Sequence, residues 1–230
     1  MPQLLKFIGS SIGKKFFMAL TGLAMVIFLL EHLSGNLLLF SKNPDPYNEF
    51  SHFLISLGWL IIAAEVGLIA ILLFHMISAI SISIGKKKAR PVAYAKIGNA
   101  GEPSKKTFSS KTMIWTGLLT FVFIAIHLKT FKFGPAEAEG YVRTVDGVQM
   151  RDLHTLVWDV FQSPIYVAWY VGTLIFLGFH LRHGFWSAFQ SLGVNHPRFT
   201  PIIYSVGILV AIIISVGFLG IPLWIYFTGA

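Results

Sequence analysis

Five apolar runs, each as long as a bilayer crossing requires, leave this chain few ways to fold. A hydrocarbon core about 30 Å thick is spanned by about 20 helical residues. The runs cover roughly residues 16–40, 57–84, 112–131, 165–188 and 202–227. Within lipid every backbone N–H and C=O must find a partner inside the protein, and helices of this length satisfy that demand. Charged residues are 12% of the chain, against about 25% in soluble proteins. The runs also follow one another too closely for a separate soluble domain. The expected fold is therefore all-α and integral to the membrane, a single domain over residues 1–230 with five transmembrane helices.

Basic residues set the expected orientation. Lys6, Lys14 and Lys15 precede the first run, and Lys86, Lys87, Lys88, Arg90, Lys96, Lys105, Lys106 and Lys111 crowd the loop after the second. With five crossings these cations and Arg198 share one side, which places the N-terminus in the cytoplasm and the C-terminus outside. The first run is too long for the apolar core of a signal peptide and is read as a retained span. Lys42-Asn43-Pro44-Asp45-Pro46 ends it, since proline cannot continue a helix. Residues 132–163 are read as a mixed-charge loop. The basic loop serves either topology alone or the docking of a cytoplasmic partner.

Ionisable groups at membrane depth mark functional sites, because burying them unpaired is costly. The fourth run holds Phe179-His180-Leu181-Arg182-His183-Gly184, and the first three hold His32, His75 and His127. At about 1.5 Å per residue, His32 and His127 fall about 5 and 8 Å past the middles of outward-running helices. His75 and His180 fall about 7 and 5 Å past the middles of inward-running ones. Two levels about 12 Å apart result, His32 with His127 outside and His75 with His180 inside. Neutral imidazole is the commonest side-chain metal ligand. Two imidazoles meeting across a bundle close on haem iron from both faces, leaving a centre that carries electrons and binds no oxygen. Any single histidine of this kind could instead be hydrogen-bonded within the core; one per helix, in two levels, points to two metal centres. Spacing alone does not separate His180 from His183, three residues apart on one face. Gly35 and Gly184 follow their histidines closely enough to admit a porphyrin edge. With no cysteine, disulfides, thiolate-bound clusters and covalently attached haem are excluded.

Phe28-Leu29-Leu30-Glu31-His32, Leu73-Phe74-His75, Ile124-Ala125-Ile126-His127 and Phe179-His180 through Ser187 together resemble one family. It is the single-polypeptide, five-helix type of diheme cytochrome b membrane anchor of succinate dehydrogenase and fumarate reductase, respiratory complex II. The resemblance implies that the first four helices form a haem-binding bundle. His32 and His127 would ligate the outer haem b iron, and His75 and His180, chosen over His183, the inner one. Flavoprotein and iron–sulfur subunits are the implied partners, with quinone (menaquinone in many members) as acceptor and the cell inner membrane as the location. No nucleic acid is involved, and the chain would do no dicarboxylate chemistry of its own. Glu49 matches in spacing an acidic residue near the quinone site of some members. Arg182 and His183 suit the propionates of the inner haem; Lys42, Lys129 and Lys132 suit those of the outer. Glu31 and Glu65 are candidates for proton relay. Gly178 stands where some fumarate reductases carry a glutamate used as a proton path, which favours succinate oxidation. Another diheme cytochrome b of a respiratory oxidoreductase is the nearest alternative. A histidine-based proton or metal transporter would need acidic co-ligands and internal repeats, and no convincing repeat is evident by inspection.

Overall fold

A computed structural model describes residues 2–89, 92 and 107–229. Much of the basic loop, Arg90 and residues 93–106 included, lies outside the described residues. A short helix α1 (Pro2–Gly9) precedes α2 (Ser11–Asn36), whose N-cap Ser10 accepts a hydrogen bond from the Gly13 amide. A 3₁₀ turn, Leu37–Phe40, extends α2 to the proline-rich turn. Those prolines also start a helix: Pro44 caps α3 (Asp45–Ser56) and Pro46 lies in its first turn, where a missing N–H costs nothing. Gly58, at φ +58°, turns the chain from α3 into α4 (Trp59–Lys88). Helix α5 (Phe108–His127) begins with a reciprocal capping box between Thr107 and Ser110. It ends in a π-helical turn, Leu128–Lys132. Helices α6 (Leu153–Val160), α7 (Pro164–Ser191) and α8 (Phe199–Thr228) complete the chain.

Among the described residues five helical segments are long and apolar enough to cross a membrane: Ser11–Phe40, Trp59–Lys86, Phe108–Lys132, Pro164–Ser191 and Phe199–Thr228. The protein is an all-α, multi-pass membrane protein. Each span is within a few residues of its expected limits, except that the first begins at Ser11.

The four spans before α8 form a bundle. Helix α2 packs against α4 and α7, and α5 packs against α7 and more sparsely against α4. Helices α2 and α5 are therefore diagonal across the bundle, as are α4 and α7, without close backbone packing between them. Helix α8 lies outside, against α7 and α2. Small residues allow that approach: a side chain at Gly217 would strike Leu33, and one at Gly207 would strike Phe185. The core runs through Leu33, Leu39, Tyr170, Leu174, Leu177, Ile214 and Ile225.

The stretch 132–163, expected to be a loop, instead builds a cap over one end. Strands β1 (Val142–Val145) and β2 (Val148–Arg151) pair antiparallel through Asp146-Gly147, both at positive φ. That two-residue Asp-Gly turn matches the twist of a hairpin. Asn48 of α3 is fully buried; its amide nitrogen donates to Asp152 Oδ1 at 2.7 Å, and its oxygen accepts from the His154 amide at 3.0 Å. Arg143 pairs with Asp45, and His154 Nε2 donates to the Ser41 carbonyl at 2.9 Å.

Burial pushes the Asp152 carboxyl up, but hydrogen bonds from Asn48 and Thr155, with Arg143 nearby, hold it below its ordinary value. Burial lowers the His154 imidazole below its usual 6.5, outweighing the Ser41 bond and Asp152. The folded cap thus accepts a proton on His154 less readily than the unfolded chain, so its contribution is complete above 6.5 and lost as pH falls below it. Asp152 acts in the same direction further into acid, where its protonation removes the acceptor for Asn48. Hydrogen-exchange protection factors over residues 142–151 are therefore expected to fall as pH drops below about 6.5. Asn48→Ala, which removes one of the two donors to Asp152 Oδ1 and orphans the His154 amide, is expected to cost about 1–3 kcal/mol in reversible detergent unfolding.

Candidate metal centres

The structure brings the four deep histidines together in two pairs. His32 and His127 come from the diagonal helices α2 and α5, with ring centroids 5.8 Å apart and planes at 87°. A metal–imidazole bond of about 2.0 Å plus the radius of each ring puts two imidazoles sharing one ion about 6 Å apart, centre to centre. The observed separation meets that requirement. Phe28 stacks on His32 at 5.3 Å and Phe123 on His127 at 5.8 Å, closing the far face of each ring. His75 and His180, from the diagonal helices α4 and α7, lie within electrostatic reach of each other.

The partners of each ring decide which nitrogen is free to bind. His75 Nδ1 is 3.1 Å from the Met18 carbonyl oxygen and 3.2 Å from Thr21 Oγ1. The Thr21 hydroxyl donates to the Phe17 carbonyl, so both oxygens can accept from Nδ1–H. His180 repeats the arrangement: its Nδ1 is 3.0 Å from Thr116 Oγ1, whose hydroxyl donates to backbone carbonyls of α5, and the Met113 backbone is a further partner. A proton fixed on Nδ1 leaves Nε2 as the basic nitrogen, the tautomer a metal ligand requires. His127 Nδ1 meets the Tyr170 hydroxyl at 3.1 Å. His32 is held less firmly, with Asn36 Nδ2 at 3.4 Å from its Nδ1 and at 2.7 Å from its carbonyl oxygen.

Glycines lie against both inner rings. A Cβ on Gly22 would stand 3.3 Å from His75 Cε1, and one on Gly117 would stand 3.3 Å from His180 Cε1. These, not Gly35 and Gly184, are the small residues at the rings. Gly35 instead makes room for Phe50 of α3, and Gly184 faces Met113 at 3.9 Å.

These contacts expose a repeat that inspection of the sequence did not find. Met18, Thr21, Gly22, Phe28 and His32 recur at identical spacing as Met113, Thr116, Gly117, Phe123 and His127. Each copy supports the inner histidine of the following span and supplies an outer histidine itself. The pair α2–α4 thus corresponds to α5–α7, and each level draws one histidine from each half. A search for the spacing Met-x-x-Thr-Gly, then Phe six and His ten residues after the glycine, would have revealed it.

The remaining expected residues are placed as follows. His183 is half-buried and has no counterpart of the Thr116 and Gly117 contacts, so the structure distinguishes it from His180. Arg182 turns to α8, donating to the Tyr204 hydroxyl at 2.9 Å and lying over its ring. Lys132 pairs with Glu65 across the sparsely packed α4–α5 seam, and Lys42 donates to the Thr228 carbonyl. Lys129, Glu31 and Glu49 are exposed; Glu49 follows directly on the buried Tyr47 and Asn48 of α3. Among the described residues no three histidine, aspartate or glutamate side chains gather as a closed metal cage.

No protein-family model, curated protein or solved structure matches this chain. The residues present fit a haem held by two imidazoles on a different ground at each level: the ring separation for His32 and His127, and the Nδ1 hydrogen bonds and adjoining glycines for His75 and His180. If both pairs hold iron, Gly22→Leu or Gly117→Leu, which drive a branched side chain into an inner ring, are expected to halve the iron per polypeptide while sparing the His32–His127 pair. Metal analysis and the optical spectrum check this.

Proposed function

We propose that this chain is the diheme cytochrome b anchor of a succinate:quinone oxidoreductase. It would pass electrons from an iron–sulfur subunit through two b-type haems to quinone, menaquinone being the quinone of many proteins it resembles. The observation that carries this reading is the two pairs of imidazoles from diagonal helices of a membrane bundle, the outer rings 5.8 Å apart and the inner ones hydrogen-bonded through Nδ1. His32 and His127 would hold the outer haem, and His75 and His180 the inner one. A haem held there by two imidazoles would supply a one-electron couple.

The chain's own residues do the positioning. Met18 and Thr21 fix the proton and plane of His75, and Thr116 with Met113 does the same for His180. Phe28 and Phe123 close the backs of the outer rings. Diagonal placement keeps the helices of each pair from packing on one another, with the His32 and His127 rings 5.8 Å apart, while adjacent helices carry the packing. Gly178 packs so closely on Ser215 of α8 that an added Cβ would lie 2.5 Å from its hydroxyl. That contact leaves no space there for a glutamate, in keeping with the succinate-oxidising direction.

The resemblance assigns the dicarboxylate chemistry to a flavoprotein subunit and docks the iron–sulfur subunit at the basic end, in the cytoplasm. Quinone would then react near the outer haem. Exposure of Glu49 is compatible with a site open to the membrane surface. A transporter reading is disfavoured by the placement of the acids, with Glu31 exposed and Glu65 engaged by Lys132. The repeat identified above serves two like centres, which removes the need for a transport pathway to explain it.

Purified protein is expected to show the reduced-minus-oxidised spectrum of low-spin haem b, at two haems per polypeptide. His180→Ala is expected to abolish the inner haem, and His183→Ala to leave both in place; the opposite result would reverse the ligand assignment. Glu49→Gln is expected to slow quinone reduction with both haems retained, and unchanged turnover would remove it from the quinone site.

A further inference from the structure

We propose that the groove between the start of α2 and the end of α4 binds the phosphoryl headgroup of an anionic phospholipid. The groove has a volume of about 500 Å³ and is lined by Lys14, Lys15, Lys86 and Lys88, with the hydroxyl residues Ser11 and Ser81. Among the described residues no acidic side chain lines it, and both ion pairs lie elsewhere. Lys14 Nζ donates to Ser81 Oγ at 2.7 Å, which holds a cation across the two helices beside a neutral partner. The N-terminus of α2 adds the positive end of its helix dipole. A phosphodiester anion is the group these donors would recognise, and basic pockets between membrane helices do bind such headgroups.

Its position decides between a lipid and other anions. Ser11 opens the first span and Lys86 closes the second, so the groove lies at the depth where headgroups lie. Ile82 and Ile84 line it beside the lysines, giving an acyl chain an apolar surface below a charged rim. All of the lining comes from α2, α4 and the residue following α4, with none from α5 or α7. The groove therefore opens on the outside of the bundle, away from the interior where the histidine pairs meet. A haem carboxylate is excluded by that placement, and an acidic protein surface has no need of the isoleucines.

The test is binding by the full chain, purified in neutral detergent and stripped of lipid. Fluorescent phosphatidylglycerol is expected to bind at least about tenfold more tightly than phosphatidylcholine. Lys14→Gln with Lys86→Gln is expected to remove most of that difference and leave phosphatidylcholine unaffected. Lys132→Gln, at the other end of the bundle, is expected to change neither. Equal affinity for the two lipids in the unaltered protein overturns the proposal without reference to any variant. Displacement of phosphatidylglycerol by millimolar inorganic phosphate would make the ligand a free anion and overturn the lipid assignment; resistance to it supports the lipid. If the double variant loses a soluble partner subunit but keeps its phosphatidylglycerol affinity, the groove is a protein-docking surface and the proposal fails.

Discussion

The hydrogen bonds that fix a proton on Nδ1 of His75 and His180 are the interactions on which the interior depends. An imidazole at membrane depth has two nitrogens to satisfy, and a buried polar group left unpaired costs about 1–3 kcal/mol. The Met18 carbonyl and the Thr116 hydroxyl each take one N–H from a neighbouring helix. The other nitrogen is thereby made basic and directed by the ring's orientation. The hydrogen-bond partner and the glycine under the ring come from the same turn of the same helix, so one local sequence sets tautomer and plane together.

That economy accounts for the two-fold design. Each half of the bundle contributes one histidine to each level, and a Thr-Gly pair serves the histidine that arrives from the next span. Equivalent helices then face each other across the bundle diagonal, the widest separation available. Two side chains that need room between them belong on that diagonal, since adjacent helices pack too closely. The two ends of the bundle differ in character. One is closed by a hydrogen-bonded cap of α3, the hairpin and α6; the other gathers lysines that no carboxylate among the described residues pairs with.

Much of the candidate site could be read before any helix was placed. His32, His75, His127 and His180 stand out because polar side chains are rare in apolar runs, and their levels follow from a fixed rise per residue. The supporting residues were invisible by that route. Thr21, Thr116, Gly22 and Gly117 are ordinary constituents of a membrane helix, and only the ring resting on each gives it a role. Gly35 and Gly184 were the wrong glycines because closeness in sequence is not closeness to a ring on another helix. The hairpin was legible but unread: Asp146-Gly147 between two short valine-containing runs is a strong local turn signal.

The sequence by itself determined that the chain crosses a membrane five times and carries histidines at two depths, because hydropathy and helical rise are properties of a single segment. Tertiary structure alone decided which helices stand diagonal, that Nδ1 of His75 and of His180 carries its proton, and that His180 and not His183 faces the bundle's supporting residues. Those are relations between segments far apart in the chain, and they become fixed only when side chains from different helices compete for the same space and the same hydrogen bonds.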